Sequence, residues 1–131
     1  MYKTLFFIGF ALMLAACNSD DISVSDCYDQ KPTYDYISIK LSVNEKYRNI
    51  PICIYKDDME DNKIVQQEIV NVEEWETELK LGEKYTITAQ YIDGNDTIIV
   101  VDASQFYTTN SDENSDCWQV YGRDFDLRLK F

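Results

Sequence analysis

The sequence predicts an all-β protein, a single antiparallel Greek-key β-sandwich of about seven strands. Three observations predict it. From Tyr36 onward, apolar and polar residues alternate with period two in short runs. Turn chemistry separates these runs at intervals of roughly eight to twelve residues. No stretch combines helix-capping residues with a sustained 3.6-residue period.

Each run has its own logic. Ile37, Ile39, Leu41 and Val43 alternate with Ser38, Lys40 and Ser42, a half-buried strand. Ile50, Ile52 and Ile54 follow, and Pro51 predicts that this strand begins at a sheet edge. Ile64–Val70 is weaker, with Gln66, Gln67 and Glu68 inside it. Trp75, Thr77, Leu79 and Leu81 alternate with Glu76, Glu78 and Lys80, and Gly82 closes that strand in a tight turn. The same stretch puts Trp75 and Leu79 at helical spacing, but its clean alternation favours strand. Tyr85, Ile87, Ala89 and Tyr91 come next. Asp93-Gly94-Asn95-Asp96 is hairpin chemistry, because Gly94 and Asn95 both tolerate positive φ. It returns the chain onto residues 97–101. A polar loop is expected over 108–116, a short strand over 117–121, and a last strand over 125–131 that alternates Phe125, Leu127, Leu129 and Phe131 with charged residues.

The start of the chain differs in kind. Lys3 precedes an apolar run over 5–14, too short for a bilayer span of roughly 20 residues. Leu14-Ala15-Ala16-Cys17 at its end resembles the lipobox of bacterial lipoproteins. The resemblance implies that Cys17 is lipidated and becomes the mature N-terminus, with 1–16 removed as a signal peptide. A plain secretory leader with an incidental cysteine is the alternative. Asn18-Ser19-Asp20-Asp21 resembles the acidic export signal of surface lipoproteins in Bacteroidota, which implies an outer-membrane, lipid-anchored and cell-surface location. A plain acidic tether is the rival reading of those four residues. Residues 17–33 read as a polar tether and 34–131 as the sandwich domain.

Loss of Lys3 with the leader leaves 11 basic against 24 acidic residues, a net charge of −13. Nucleic acid and anionic membrane surfaces would both repel such a chain. There is no histidine for general-base or nucleophile-activating work, and no cysteine spacing resembles a zinc site. We therefore expect no catalytic role, no metal and no cofactor. The run Asp57-Asp58-Met59-Glu60-Asp61-Asn62, and Asp112, Glu113 and Asp116, hold enough oxygens to interest calcium, but without EF-hand spacing they read as solvated loops.

The stretch from Leu79 to Ala89, Leu-Lys-Leu-Gly-Glu-Lys-Tyr-Thr-Ile-Thr-Ala, resembles a segment of transthyretin-like and carboxypeptidase-regulatory-like (Ig-like) sandwich domains. The Ile50–Lys56 strand resembles another strand of those domains. The resemblance spans residues 36–102 and implies fold more than activity. In such sandwiches the first and last strands can lie side by side in parallel. Cys27 stands nine residues before Tyr36 and Cys117 eight before Phe125, so that arrangement implies a Cys27–Cys117 disulfide. Pairing of Cys53 with either one is the rival, and an oxidising compartment permits both.

Several aromatic residues fall outside the inward-facing pattern: Tyr34, Tyr47, Tyr55, Tyr107, Trp118 and Tyr121. Of these, Tyr55, Tyr107, Trp118 and Tyr121 are candidates for a ligand-facing surface. Asp96-Thr97-Ile98 matches a short O-glycosylation motif of Bacteroidota envelope proteins, which makes Thr97 a candidate acceptor. The expected role is a non-catalytic binding or accessory module of an outer-membrane protein complex. A carbohydrate-binding lipoprotein using exposed Tyr and Trp rings is the alternative.

Overall fold

In a computed structural model, residues 27–110 and 117–130 are described. They form an all-β sandwich of eight strands: β1 Tyr34–Lys40, β2 Ile50–Lys56, β3 Ile64–Val70, β4 Glu74–Lys80, β5 Glu83–Asp93, β6 Asp96–Asn110, β7 Trp118–Tyr121 and β8 Asp124–Asp126. One sheet has the order β4-β1-β8 and the other β3-β2-β5-β6-β7. Cys17 lies outside the described residues, as do Asp112, Glu113, Asp116 and Phe131.

The alternating apolar residues meet between the two sheets. Ile37 and Ile39 of β1 and Phe125 of β8 face Ile52 and Ile54 of β2, Ile87 and Tyr91 of β5, and Phe106 of β6, all essentially without exposure. Each such side chain contributes about 1.5–3 kcal/mol by leaving water, so this layer is the main favourable term in folding. Tyr91 also joins the sheets by polar contacts. Its hydroxyl donates to the Leu127 carbonyl at 2.6 Å and accepts from the Ser42 N–H at 3.1 Å.

The first and last strands do run in parallel, with Ser38 opposite Asp124 and Lys40 opposite Asp126. Cys27 and Cys117 are joined, with Cα atoms 4.9 Å apart across 90 residues, and among the described residues Cys53 is the free thiol. Part of the stretch read as tether is thereby fastened to the domain. Tyr28 exchanges both backbone hydrogen bonds with Trp118 at 2.9 and 3.0 Å, and the Thr33 carbonyl accepts from Leu81 N–H at 2.8 Å. Beneath this clamp Asp35 is buried. It accepts from Arg123 at 2.8 Å, from the Tyr28 hydroxyl at 3.1 Å and from the Tyr36 N–H at 2.8 Å.

Four details depart from the sequence reading. β2 is an inner strand between β3 and β5, despite Pro51. Asp57 N–H bonds Lys84 O, so residues of the same parity, Tyr55, Cys53 and Pro51, direct their backbone toward β5. The β2–β5 register starts at Ile52 opposite Ala89, one residue after the proline, so the missing donor interrupts no registered pair. β6 runs on to Asn110, through residues read as loop. The last strand is short, because Leu127 N–H still bonds Lys40 O while Leu129 N–H bonds the Ser42 hydroxyl instead of backbone. In the β5–β6 hairpin only Gly94 takes positive φ, at 64°, as a turn with glycine at its first central position requires.

Candidate functional site

The outward surfaces of the two sheets differ in chemistry. On the three-stranded sheet, β4 sends out Glu74, Glu76 and Glu78, and β8 adds Asp124 and Asp126 against Lys40 and Lys80. That surface is charged and acidic.

The five-stranded sheet turns a different set outward. Its cross-strand rows read Tyr55–Thr86–Ala103, then Gln67–Cys53–Thr88–Val101, then Gln90–Ile99, then Ile92–Thr97. Ile69 extends the surface on β3, and Tyr107 and Tyr121 extend it toward β7. None of these residues is a carboxylate or a cation. Lys84, at one end, is tied to Asp58 at 2.7 Å, which raises the lysine's affinity for its proton. Several apolar members are exposed, among them Ile69 and Ile92 at 70% each and Ile99 at 54%. An open groove of about 710 Å³ crosses this surface between β3, β2 and β5, lined by Pro51, Cys53, Tyr55, Gln67, Ile69 and Gln90 together with one acidic residue, Glu68. Such a face arises because Ile, Val, Thr and Tyr fill many of the outward positions of these strands as well as the inward ones.

The candidate aromatics do not make one platform. Tyr107 and Tyr121 sit opposite each other on β6 and β7, with centroids 5.5 Å apart and planes 19° from parallel. Each ring therefore covers a face of the other, and the Tyr121 hydroxyl donates to Gln119 at 2.8 Å. Tyr55 lies two strands over and four residues along, about 16 Å away at sheet spacings. Its hydroxyl meets the Cys53 thiol, and that contact, with burial second, pushes the phenol's pKa up. Trp118 lies apart from these rings. Opposite Asn110, it shares the side of β7 that carries Val120 against the core, so it faces away from Tyr121. Lys31 covers its ring at 5.6 Å from the centroid. Tyr47, also outside the inward pattern, is buried and edge-on to Tyr91 at 5.6 Å. Tyr34 is exposed on the acidic sheet.

Thr97 is exposed at the start of β6, directly after the turn, where its hydroxyl is open to solvent. In the Asp57–Asp61 region the carboxylates meet lysines, Asp57 with Lys63 at 3.6 Å and Asp58 with Lys84 at 2.7 Å. Among the described residues no three metal-ligating side chains gather. The neutral face was missed in the sequence reading, although its signal was present. Thr86, Thr88, Gln90, Thr97, Ile99 and Val101 stand at alternate positions with no charge in a chain of 24 acidic residues.

No protein-family model matches this chain, and neither a curated protein nor a solved structure matches it.

Proposed function

We propose that this protein is a lipid-anchored component of the cell envelope, held at the outer membrane through Cys17 and displayed at the surface. Its sandwich is a non-catalytic binding module, an accessory of an outer-membrane complex. The recognising surface is the uncharged outer face of the five-stranded sheet. One observation carries this reading: exposed apolar side chains are concentrated on the sheet face whose outward rows hold no carboxylate and only Lys84 at one end, in a protein of net charge −12. Contiguous exposed apolar surface marks interaction sites, and the highly charged remainder keeps the rest of the molecule unassociated.

The test is crosslinking in intact cells, with the tagged protein recovered and its partners read by mass spectrometry. Wild type, Cys17→Ala and the double variant Ile69→Lys, Ile92→Lys are compared. Both isoleucines are 70% exposed, so the variant keeps its fold. A recurrent outer-membrane partner lost in both variants supports the reading. A partner retained by the double variant refutes the face, and one retained by Cys17→Ala refutes the anchor.

A neutral glycan is the second reading. It is favoured by the hydroxyl and amide groups of Thr88, Gln67 and Gln90 beside Tyr55 in the groove. Binding to a glycan array that falls with Tyr55→Ala would select it.

A further inference from the structure

β6 is longer than the strands on either side of it. β5 covers one edge from Asp96 to Phe106, but β7 covers the other only from Tyr107 to Asn110. Beyond Tyr121 the chain leaves for the other sheet as β8. The hairpin has a two-residue loop, so Asp93–Asp96 is a hydrogen-bonded pair, and the pairs alternate from there. The peptide groups of Thr97, Ile99 and Val101 therefore point outward. Among the described residues, no backbone or side-chain partner meets them. Asp102 ends this open stretch, because its carboxylate accepts from Ala103 N–H at 2.9 Å and from Asp126 N–H at 2.9 Å. Edges are normally blunted by proline, lysine or a bulge, and residues 97–101 carry none.

The open edge faces a groove of about 450 Å³ between β6 and residues 126–130. Ile98, Val100 and Leu129, all partly buried, form its apolar wall. Its charged groups answer one another: Asp126 pairs with Arg128 at 2.8 Å and lies 3.9 Å from Lys130, while Asp102 is held by the two N–H groups above.

We infer that this groove takes an extended, uncharged segment of another polypeptide as an added strand on β6. Backbone hydrogen bonds to Thr97, Ile99 and Val101 would hold it, and alternate apolar side chains would enter against Ile98, Val100 and Leu129. Other occupants fit less well. A second copy paired antiparallel about Ile99 sets Asp96 against Asp102 twice and brings two mature chains of −13 together. The protein's own tether falls short. Asn110, across from Trp118 and its partner Tyr28, is nine residues from Val101, about 30 Å of strand, and thirteen from Thr97, about 43 Å, whereas the chain from Cys17 to Cys27 spans about 35 Å at full extension and so cannot cover the whole open stretch. The inference goes beyond the proposed function, which concerns the sheet's face, and rests on it only where the tether is taken to begin at Cys17.

The experiment pans phage-displayed random heptapeptides against the mature protein. It then compares synthetic versions of the enriched peptides on wild type, Ile99→Pro, and the face variant Ile69→Lys, Ile92→Lys. Expected are uncharged peptides with alternating β-branched residues and no proline. Their affinity falls at least tenfold on Ile99→Pro and on N-methylation of alternate peptide amides, and is unchanged on the face variant. Amide exchange of Thr97, Ile99 and Val101 in wild type, slowed at least tenfold by the peptide, reads the same contact without a substitution. No enrichment, equal binding to a folded Ile99→Pro, or unchanged exchange at those amides overturns the inference. So does a dimer in sedimentation that Ile99→Pro dissolves, which would make the occupant a second copy. Loss of binding on the face variant alone would move the peptide site to the face and overturn the edge.

Discussion

Replacing Tyr91 with phenylalanine removes a single oxygen and leaves the ring against Tyr47. That oxygen holds two backbone groups from separate places, Leu127 C=O at 2.6 Å and Ser42 N–H at 3.1 Å. Neither ring volume nor apolar burial changes, so no cavity cost enters. The variant keeps a carbonyl and an amide without their partner in a region where Tyr91 and Leu127 have no exposure. Leaving a buried polar group unpaired costs about 1–3 kcal/mol, so the pair should cost about 3 kcal/mol in total. With a urea slope of about 1.5 kcal/mol/M for a small domain, the midpoint should fall by about 2 M. The assay is equilibrium urea unfolding at neutral pH, followed by tryptophan fluorescence and far-UV circular dichroism. Faster amide exchange at Ser42 should accompany it. A midpoint within about 0.3 M of wild type would refute the reasoning, because it would mean both groups find other partners at little cost.

Breaking the disulfide with Cys27→Ser and Cys117→Ser opens a ring spanning 90 residues, which chain-entropy arithmetic sets at about 4–5 kcal/mol of lost stability. Unfolding curves that do not change on reduction would contradict it. Gly122→Ala should be among the most damaging surface changes. Its φ is +79° and an added Cβ would lie on top of the Gln105 carbonyl oxygen, so a loss of about 2–4 kcal/mol and a melt lower by about 10 °C or more are expected. Alkaline pH should weaken the fold through Tyr85, whose phenol is pushed up to about 12, chiefly by burial and then by the Glu83 charge. Its folded pKa lies above the unfolded value, so this contribution is whole below pH 10 and is lost as pH rises toward 12. The slope is about 1.4 kcal/mol per pH unit, absent in Tyr85→Phe and measurable by urea midpoints across that range.

The strands with one wet and one dry face were the legible part. Ile37 and Ile39 against Ser38 and Lys40 state which way β1 faces, and the structure buries the two isoleucines fully. Legibility failed where period two had nothing to report. Residues 102–110 of β6 place only Phe106 in the core, so their polar neighbours look like loop. It failed again where alternation outlasted pairing, since Leu129 continues the pattern where the Ser42 hydroxyl has replaced a backbone partner. Tyr47 is brought into the core by a loop, where Asn44 accepts from its N–H at 2.9 Å, and no strand pattern announces that. The Cys27–Cys117 pairing was reached through the parallel placement of first and last strands, which the structure contains. The Tyr and Trp candidates fared differently, because facing depends on register and not on composition. Tyr107 and Tyr121 meet only because β6 and β7 align them, and Trp118, three residues from Tyr121, faces the other way.

The clamp at Cys27 also decides how the molecule carries load. A pull arriving from the N-terminal side reaches Cys27 and crosses the sulfur bridge to Cys117, so residues 28–116 form a closed ring off the line of tension. β1 to β6 lie wholly inside that ring. Drag on a partner seated on β5 or β6 is therefore resisted by a covalent loop. Tension between the two chain ends stretches only the segment C-terminal to Cys117, with β7, β8 and their turn at Gly122. An end-to-end pull would therefore leave β1 to β6 slack while β7 and β8 bear the strain, and reduction of one bond would transfer that strain to β1.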